Sequence, residues 1–260
     1  MKEVMSIAER HKLILEALET NGFVKVADLA KQFGVTPTTI RRDMDDLESR
    51  NLLHRTHGSA TQPTLTAFEV STVIKSKVNK DIKQRIGKEA TKLINTNDSL
   101  CIASGSTVYA FAEQLVARGS LNVITPSIAV AVLLNEQENI TVKMLGGVLY
   151  KNSLSVRGQY AIDGFSNVVC DKLFFGVDGI DAQFGYTCAT EEEAVLTRKF
   201  MSSSAKIIVL TDSSKFGKKG YGRICPIDSV DMIITDDGIS DEYRQIILDA
   251  GIELITVPRE

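Results

Sequence analysis

The sequence contains no tryptophan, only five prolines, four cysteines and three histidines in 260 residues. Cys101, Cys170, Cys188 and Cys225 are scattered, with no C-x-x-C pair. That pattern excludes a disulfide scaffold and reads as buried free thiols. His11, His54 and His57 are too few and too badly spaced for a zinc site, so neither metal nor cofactor is expected. No apolar run reaches membrane-spanning length, since "NVITPSIAVAVLLN" is broken by Thr125, Pro126 and Ser127. The stretch "MKEVMSIAERHK" places charges where a signal peptide needs apolar residues. A cytoplasmic protein without a membrane partner is the expectation. Nor is there a large excess of one charge: the net value of −3 argues against indiscriminate nucleic-acid binding by the whole surface. A basic docking face has to be local.

What is present falls into a head, a connector and a body. In the head, Ile7, Ile14 and Leu18, with Leu15 beside them, predict an amphipathic helix ending near Asn21-Gly22. A second helix in "KVADLAKQFG" buries Val26, Leu29, Ala30 and Phe33 and stops at Gly34. In "VTPTTIRRDMDDLESR", Thr36 is a good N-cap and Pro37 suits the first helical position. Ile40, Met44 and Leu47 form the core stripe of that third helix.

The spacing Ala30-x3-Gly34-x5-Ile40 is what a helix-turn-helix requires. A small residue allows close crossing, a glycine turns the chain, and a branched residue wedges between the helices. Thr38 and Arg42 lie opposite the core stripe near the helix N-terminus, the end that enters a major groove. Arg42 suits a base edge, and Thr36, Thr39 and Arg41 suit phosphates. Asp45, Asp46 and Glu48 point away from the duplex, and Asp46 can pair with Arg50. After the helix, "NLLHRTHGSATQ" reads as two short strands around Gly58, a wing on which Arg55 and His57 share one face. A three-helix protein-interaction module is the rival reading; agreement of spacing, cap, turn and wing favours DNA.

Residues 1–62 are therefore expected to form the head, 63–79 a connector and 80–260 the body. From Lys80 a helix runs through "IKQRIGKEATKLI", its lysines reading as a solvated face. Strands and helices then alternate. "SLCIA", "LNVIT", "TVKML", "KLFFGVDGI", "KIIVLTD", "DMIITDD" and "IELITV" are expected strands. Helices are expected from Ser106, near 127–134, from about Glu191, and in "DEYRQIILDAG". This is an α/β pattern with a largely parallel, helix-covered sheet, whose ligands bind at the carboxyl ends of strands.

Four strand ends carry suitable chemistry. Ser104, Gly105, Ser106 and Thr107 can surround an anion at a helix N-terminus, or simply cap that helix. Gly146-Gly147 permits close backbone approach. Asp178 and Asp181 offer carboxylates for sugar hydroxyls, or cap a turn. Asp212 and Lys215 follow a fifth strand, where the lysine can neutralise a phosphate or decorate the surface.

The run "FGVTPTTIRRDMDDLESRNLLHRTHGSA" closely resembles the head of DeoR-type bacterial transcriptional repressors, with Ser59 where relatives commonly carry a second glycine after "RTHG". "GST" at 105–107, "LGG" at 145–147, "FFGVDGID" at 174–181, "EEEA" at 191–194 and "TDSSKFG" at 211–217 resemble that family's C-terminal domain, itself similar to ribose-5-phosphate isomerase. The resemblance implies a winged helix-turn-helix joined to an isomerase-like α/β domain. It implies a cytoplasmic, nucleoid-associated repressor of a carbohydrate operon, released from double-stranded operator DNA by a phosphorylated sugar. Reading repeated half-sites implies a homodimer or homotetramer. The alternative is an active sugar-phosphate isomerase. The resemblance places Phe175 where that enzyme's first aspartate would stand, and "AQFGYTCATEEEA" lacks the enzyme's lysine. Glu193, or Glu192, could match the enzyme's catalytic glutamate but reads as a ligand contact or a helix N-terminal carboxylate, and catalysis is not expected.

Overall fold

Two patterns of apolar spacing, helical in the first sixty residues and strand–helix alternation thereafter, become two separate units, Met1–Val70 and Ser71–Glu260. The computed structural model describes residues 5–21, 23–50, 52–56, 59–61, 71–117 and 119–260.

The first unit holds α1 (Ile7–Asn21), β1 (Phe23–Lys25), α2 (Val26–Phe33), α3 (Pro37–Ser49), β2 (His54–Thr56) and β3 (Ser59–Thr61). Ile14, Leu18, Leu29, Ile40, Met44 and Leu47 make its core, each at most 2 % exposed. Gly34 ends α2 in the left-handed region (φ +66°), and its N–H donates to the Ala30 carbonyl. Thr36 caps α3, its hydroxyl accepting the Thr39 N–H at 3.2 Å. The expected two-stranded wing is β2 paired antiparallel with β3, and β1 joins β3 to make a three-stranded sheet.

The second unit opens with α4 (Thr72–Lys75) and α5 (Lys80–Thr91). There follow β4 (Ser99–Ile102), α6 (Ser106–Gln114), β5 (Leu121–Thr125), α7 (Ile128–Leu134) and β6 (Ile140–Met144). A hairpin of β7 (Val148–Tyr150) and β8 (Ser155–Arg157) precedes α8 (Gln159–Gly164) and β9 (Cys170–Phe175). Next come β10 (Gly179–Asp181), β11 (Gly185–Cys188), α9 (Glu191–Met201), β12 (Ser204–Leu210) and β13 (Gly222–Cys225). The unit ends with β14 (Met232–Asp236), α10 (Asp241–Asp249) and β15 (Glu253–Val257).

Seven strands form one parallel sheet in the order β15-β14-β12-β9-β4-β5-β6. Alternate side chains serve opposite faces, as the period of a strand demands. Leu100, Ile102, Phe174, Ile208 and Ile234 pack with α5, α6 and α7, while Cys101, Leu173, Phe175, Val209 and Ile233 pack with α8, α9 and α10. Phe111 of α6 stacks on Phe174 with ring centres 4.4 Å apart. All four cysteines are buried free thiols. Among the described residues, no helix is long and apolar enough to cross a membrane.

Three expectations change. "KLFFGVDGI" is not one strand: the chain leaves the parallel sheet after Phe175, and Gly179–Asp181 joins a separate antiparallel sheet, β10-β11-β13. Gly176, Asp178 and Gly179 interrupt the apolar run at that break. Ser71–Asn79, expected as connector, includes α4 and is bonded to the body, with the Thr72 N–H donating to the Asn152 carbonyl at 2.7 Å. The lysines of α5 are not all solvated: Lys83 is only 4 % exposed.

Candidate functional site

In the first unit, α3 presents Thr36, Thr38, Arg41 and Arg42 exposed on the side away from Ile40 and Met44, and Thr39 half-buried. The Thr36 hydroxyl is engaged at the cap and lies 2.9 Å from that of Thr39. Arg42 is exposed, and so is Asp45 beyond it. Asp46 receives Arg50 at 3.0 Å, as the spacing suggested. Sequence reading missed Asp43. It is buried, and its two oxygens take Arg10 Nε at 2.7 Å and Nη2 at 2.9 Å. This bidentate pair ties α1 to α3 and so fixes the helix that carries Arg42. Arg55 lies on β2, and His57 lies outside the described residues.

In the second unit, strand order decides where a ligand can sit. From β4 the chain adds β5 and β6 on one side, then crosses back to add β9, β12, β14 and β15 on the other. The reversal lies between β4 and β9, and a crevice opens at such a point beyond the strands' carboxyl ends. The segments leaving those strands are Ser104–Thr107 and Gly176–Asp178.

Ser104, Gly105, Ser106 and Thr107 form the turn into α6. Gly105 stands at φ +132°, a conformation that favours glycine, with open space where a side chain would project. The first-turn amides of α6 have no side-chain cap, in contrast to α7 and α9, which Ser127 and Thr190 cap. This removes the capping explanation for the hydroxyl-rich turn and leaves a positive helix end facing the crevice.

A small pocket there is lined by Ser104, Phe175, Gly176, Glu193 and Thr197, and by a residue the sequence reading did not single out, Arg157. Arg157 ends β8 and is 1 % exposed. Its guanidinium donates to Thr190 Oγ1 at 2.8 Å, Ser153 Oγ at 3.0 Å and Glu193 Oε2 at 3.3 Å, and lies over the Tyr150 ring. Glu193, not the exposed Glu192, is therefore the acidic residue of "EEEA" that reaches the site. Gly146 is exposed and is not brought to the pocket. Its neighbour Gly147 (φ +138°) has the role instead: a Cβ there would lie 2.5 Å from the Arg157 carbonyl oxygen.

Beside this pocket lies a cluster of opposite charges. Asp178 accepts Lys75 Nζ at 2.5 Å. Burial pushes the Asp178 carboxyl up, but Lys75 and Lys215, the Lys75 hydrogen bond and Arg157 together hold it below its usual range. Asp212 is buried and accepts Asn79 Nδ2 at 3.1 Å and the Ser214 N–H at 3.1 Å. Burial raises it, while the bond from Ser214 and the charges of Lys215 and Lys83 lower it further. The charge of Lys215, half-buried in the turn Ser213–Lys215, thus acts on both carboxylates. Lys83 donates to the carbonyls of Lys75 and Val78 at 2.5 and 2.7 Å. Its burial lowers it to about 8 despite attraction by Asp212. Asp181 belongs to its own turn, accepting the N–H groups of Gln183 and Phe184 and pairing with Lys219.

Of these residues Ser104, Glu193 and Arg157 line the pocket, while Asp178, Asp212, Lys75 and Lys83, with the charge of Lys215, make up the neighbouring cluster. Cations and an uncapped helix end suit an anion, and the carboxylates suit hydroxyl donors. Among the described residues, no cluster of His, Cys, Asp and Glu could hold a metal ion.

Comparison with known proteins agrees with both units. The profile of the DeoR-like helix-turn-helix domain matches residues 10–66, and that of the DeoR C terminal sensor domain matches residues 78–237. A relative from Escherichia coli O157:H7, named for transcriptional repression of the aga operon, is 34% identical over 98% of this chain and 96% of its own length. The HTH-type transcriptional repressor GlcR of Bacillus subtilis is 31% identical over 97% of each chain. The glycerol-3-phosphate regulon repressor of Escherichia coli K12 is 28% identical over 96% of this chain and 99% of its own. Among solved structures, ribose 5-phosphate isomerase A from Methanocaldococcus jannaschii aligns at 19% identity over 53% of this chain and 55% of its own, with a TM-score of 0.39.

Proposed function

The chain belongs to the DeoR family of transcriptional regulators, and on that premise we propose that it represses a carbohydrate operon and leaves its operator when a phosphorylated sugar fills the body. It acts in the cytoplasm, on the nucleoid, as a homodimer or homotetramer that reads repeated half-sites. Arg42 reads a base edge with Thr38 beside it at the helix end that enters the major groove, Thr36, Thr39 and Arg41 hold phosphates, and Arg55 and His57 touch the backbone or the minor groove. The observation that supports the sensing half is the buried Arg157 lining one pocket with Ser104 and Glu193, next to the uncapped α6 N-terminus that follows β4. A phosphate sits on Ser104–Thr107 with Lys215 as its counter-charge, and sugar hydroxyls donate to Asp178 and Glu193.

Binding without turnover is the reading supported best. An aldose–ketose isomerase needs a base free to take a C–H proton. Phe175 is buried against Tyr186, and the Glu193 carboxylate is engaged by Arg157. Regulation needs only that the ligand prefer the conformation with poorer DNA affinity. The test is to select duplexes from a random pool with the full chain, then titrate the complex with a panel of phosphorylated sugars. Release by one of them at concentrations that its unphosphorylated parent cannot match is expected. A selected duplex that no phosphorylated sugar releases would refute the sensing half.

A further inference from the structure

The segment Ser71–Asn79 opens the second unit and leads straight into α5. It is tied to the crevice at both ends. Lys75, the last residue of α4, reaches Asp178 Oδ1 at 2.5 Å. Asn79, in the left-handed region at φ +53°, reaches Asp212 Oδ1 at 3.1 Å. Between them, the Lys83 ammonium gathers the carbonyls of Lys75 and Val78. Asp178 and Asp212 thus direct lone pairs at the segment that follows the head, and those lone pairs are the acceptors a polyol would use.

The Lys75–Asp178 pair has the exposure of a switch. Its side chains are 24% and 22% exposed, open enough for a ligand to reach the carboxylate. Lys83, by contrast, is buried and holds the turn from below. A hydroxyl that donates to Asp178 competes with Lys75 for the same oxygens, and a phosphate on Lys215 brings the sugar within reach of them. Competition for one acceptor is a differential interaction, which is what a ligand needs to shift a conformational equilibrium.

We propose that the Lys75–Asp178 ion pair is a latch coupling the occupancy of the crevice to DNA affinity: closed, it holds Ser71–Asn79 in the arrangement that binds operator, and a phosphorylated polyol opens it by taking Asp178. Lys75 is a positioning residue in this scheme. The proposal rests on the sensing reading above for the identity of the occupant, and it extends that reading by naming the contact through which occupancy is felt.

The test uses hydrogen–deuterium exchange on the full chain together with affinity for a duplex selected from a random pool. With no ligand present, Lys75→Met should speed exchange of the amides from Thr72 to Lys83 and weaken duplex binding about tenfold, a usual size for coupling between sites. Lys75→Arg should restore both. In wild type, the phosphorylated sugar that releases the duplex should speed the same amides. Faster exchange in Lys75→Met with unchanged duplex affinity overturns the proposal, because the segment then moves without consequence for DNA. Unchanged exchange overturns it too, because the pair then holds nothing. Failure of the sensing reading looks different: no phosphorylated sugar alters wild-type duplex affinity, while Lys75→Met still speeds exchange and weakens the duplex, so the hold of the ion pair on DNA affinity survives and only the assigned occupant is wrong.

Discussion

Arg157 and Glu193 meet at 3.3 Å across the crevice, one from the end of β8 and the other from the first turn of α9. The guanidinium is 1 % exposed and also holds Ser153 and Thr190. Lysine offers one ammonium where a planar fork is used. Arg157→Lys should therefore lose sugar-phosphate binding tenfold or more, by about 1.5–3 kcal/mol of charge-assisted bonding. Arg157→Met should also destabilise the body, by about 3 kcal/mol, since a half-buried carboxylate loses this partner. Calorimetry and urea unfolding check the two effects, and an unchanged binding isotherm for Arg157→Lys would remove the residue from the site.

Arg42→Ala should weaken the selected duplex by about 1–3 kcal/mol, the loss of one good base contact. Sugar-phosphate binding should be unaffected, because the two belong to separate units. Gel shift and calorimetry on the same preparation decide it. Unchanged duplex affinity would move readout to the wing.

Asp43→Ala leaves the guanidinium of Arg10 buried without its bidentate partner. The head should lose about 3 kcal/mol of stability, seen as faster hydrogen exchange in α1 and α3. Exchange in the parallel sheet of the body should stay as in wild type.

Lys83 gives a pH signature. Burial lowers it to about 8 from its ordinary 10.5, against the attraction of Asp212. Between those values the unfolded chain binds a proton that the folded one has released, so stability rises with pH across that window. The span of the shift corresponds to something on the order of 3 kcal/mol. Lys83→Met should flatten the rise from pH 8 to 10.5 in a series of denaturant melts. Parallel slopes for the two proteins would contradict the burial argument.

No ribose-5-phosphate isomerase turnover is expected in a coupled assay. Phe175 neither accepts nor donates a proton, and residues 182–194 contain no lysine. Turnover that disappears in Glu193→Gln would restore the enzymatic alternative.

Much of this protein is written in local spacing. The Ala30, Gly34 and Ile40 interval, the Thr36 cap with Pro37, and the paired strands around Gly58 are all signals between near neighbours. Each encodes a turn or a period that forms wherever the segment lies. The same holds for the parallel strands and for the hydroxyl-rich turn at Ser104–Thr107, which backbone sterics and helix geometry place at a strand end. Partnership between distant charges is another matter. Nothing near Arg157 in "SLSVRGQY" predicts that it meets Glu193, because the β7–β8 hairpin stands apart from the sheet. Lys83 reads as part of a solvated face and Lys75 as part of a connector, since local sequence favours solvating an ammonium. Only the order of strands, reversing between β4 and β9, brings carboxylates from two crossovers against α4 and α5, where Lys75 is half-buried and Lys83 buried. Local chemistry chose the elements and their ends; the crossovers, which short-range spacing does not encode, chose which charges face each other.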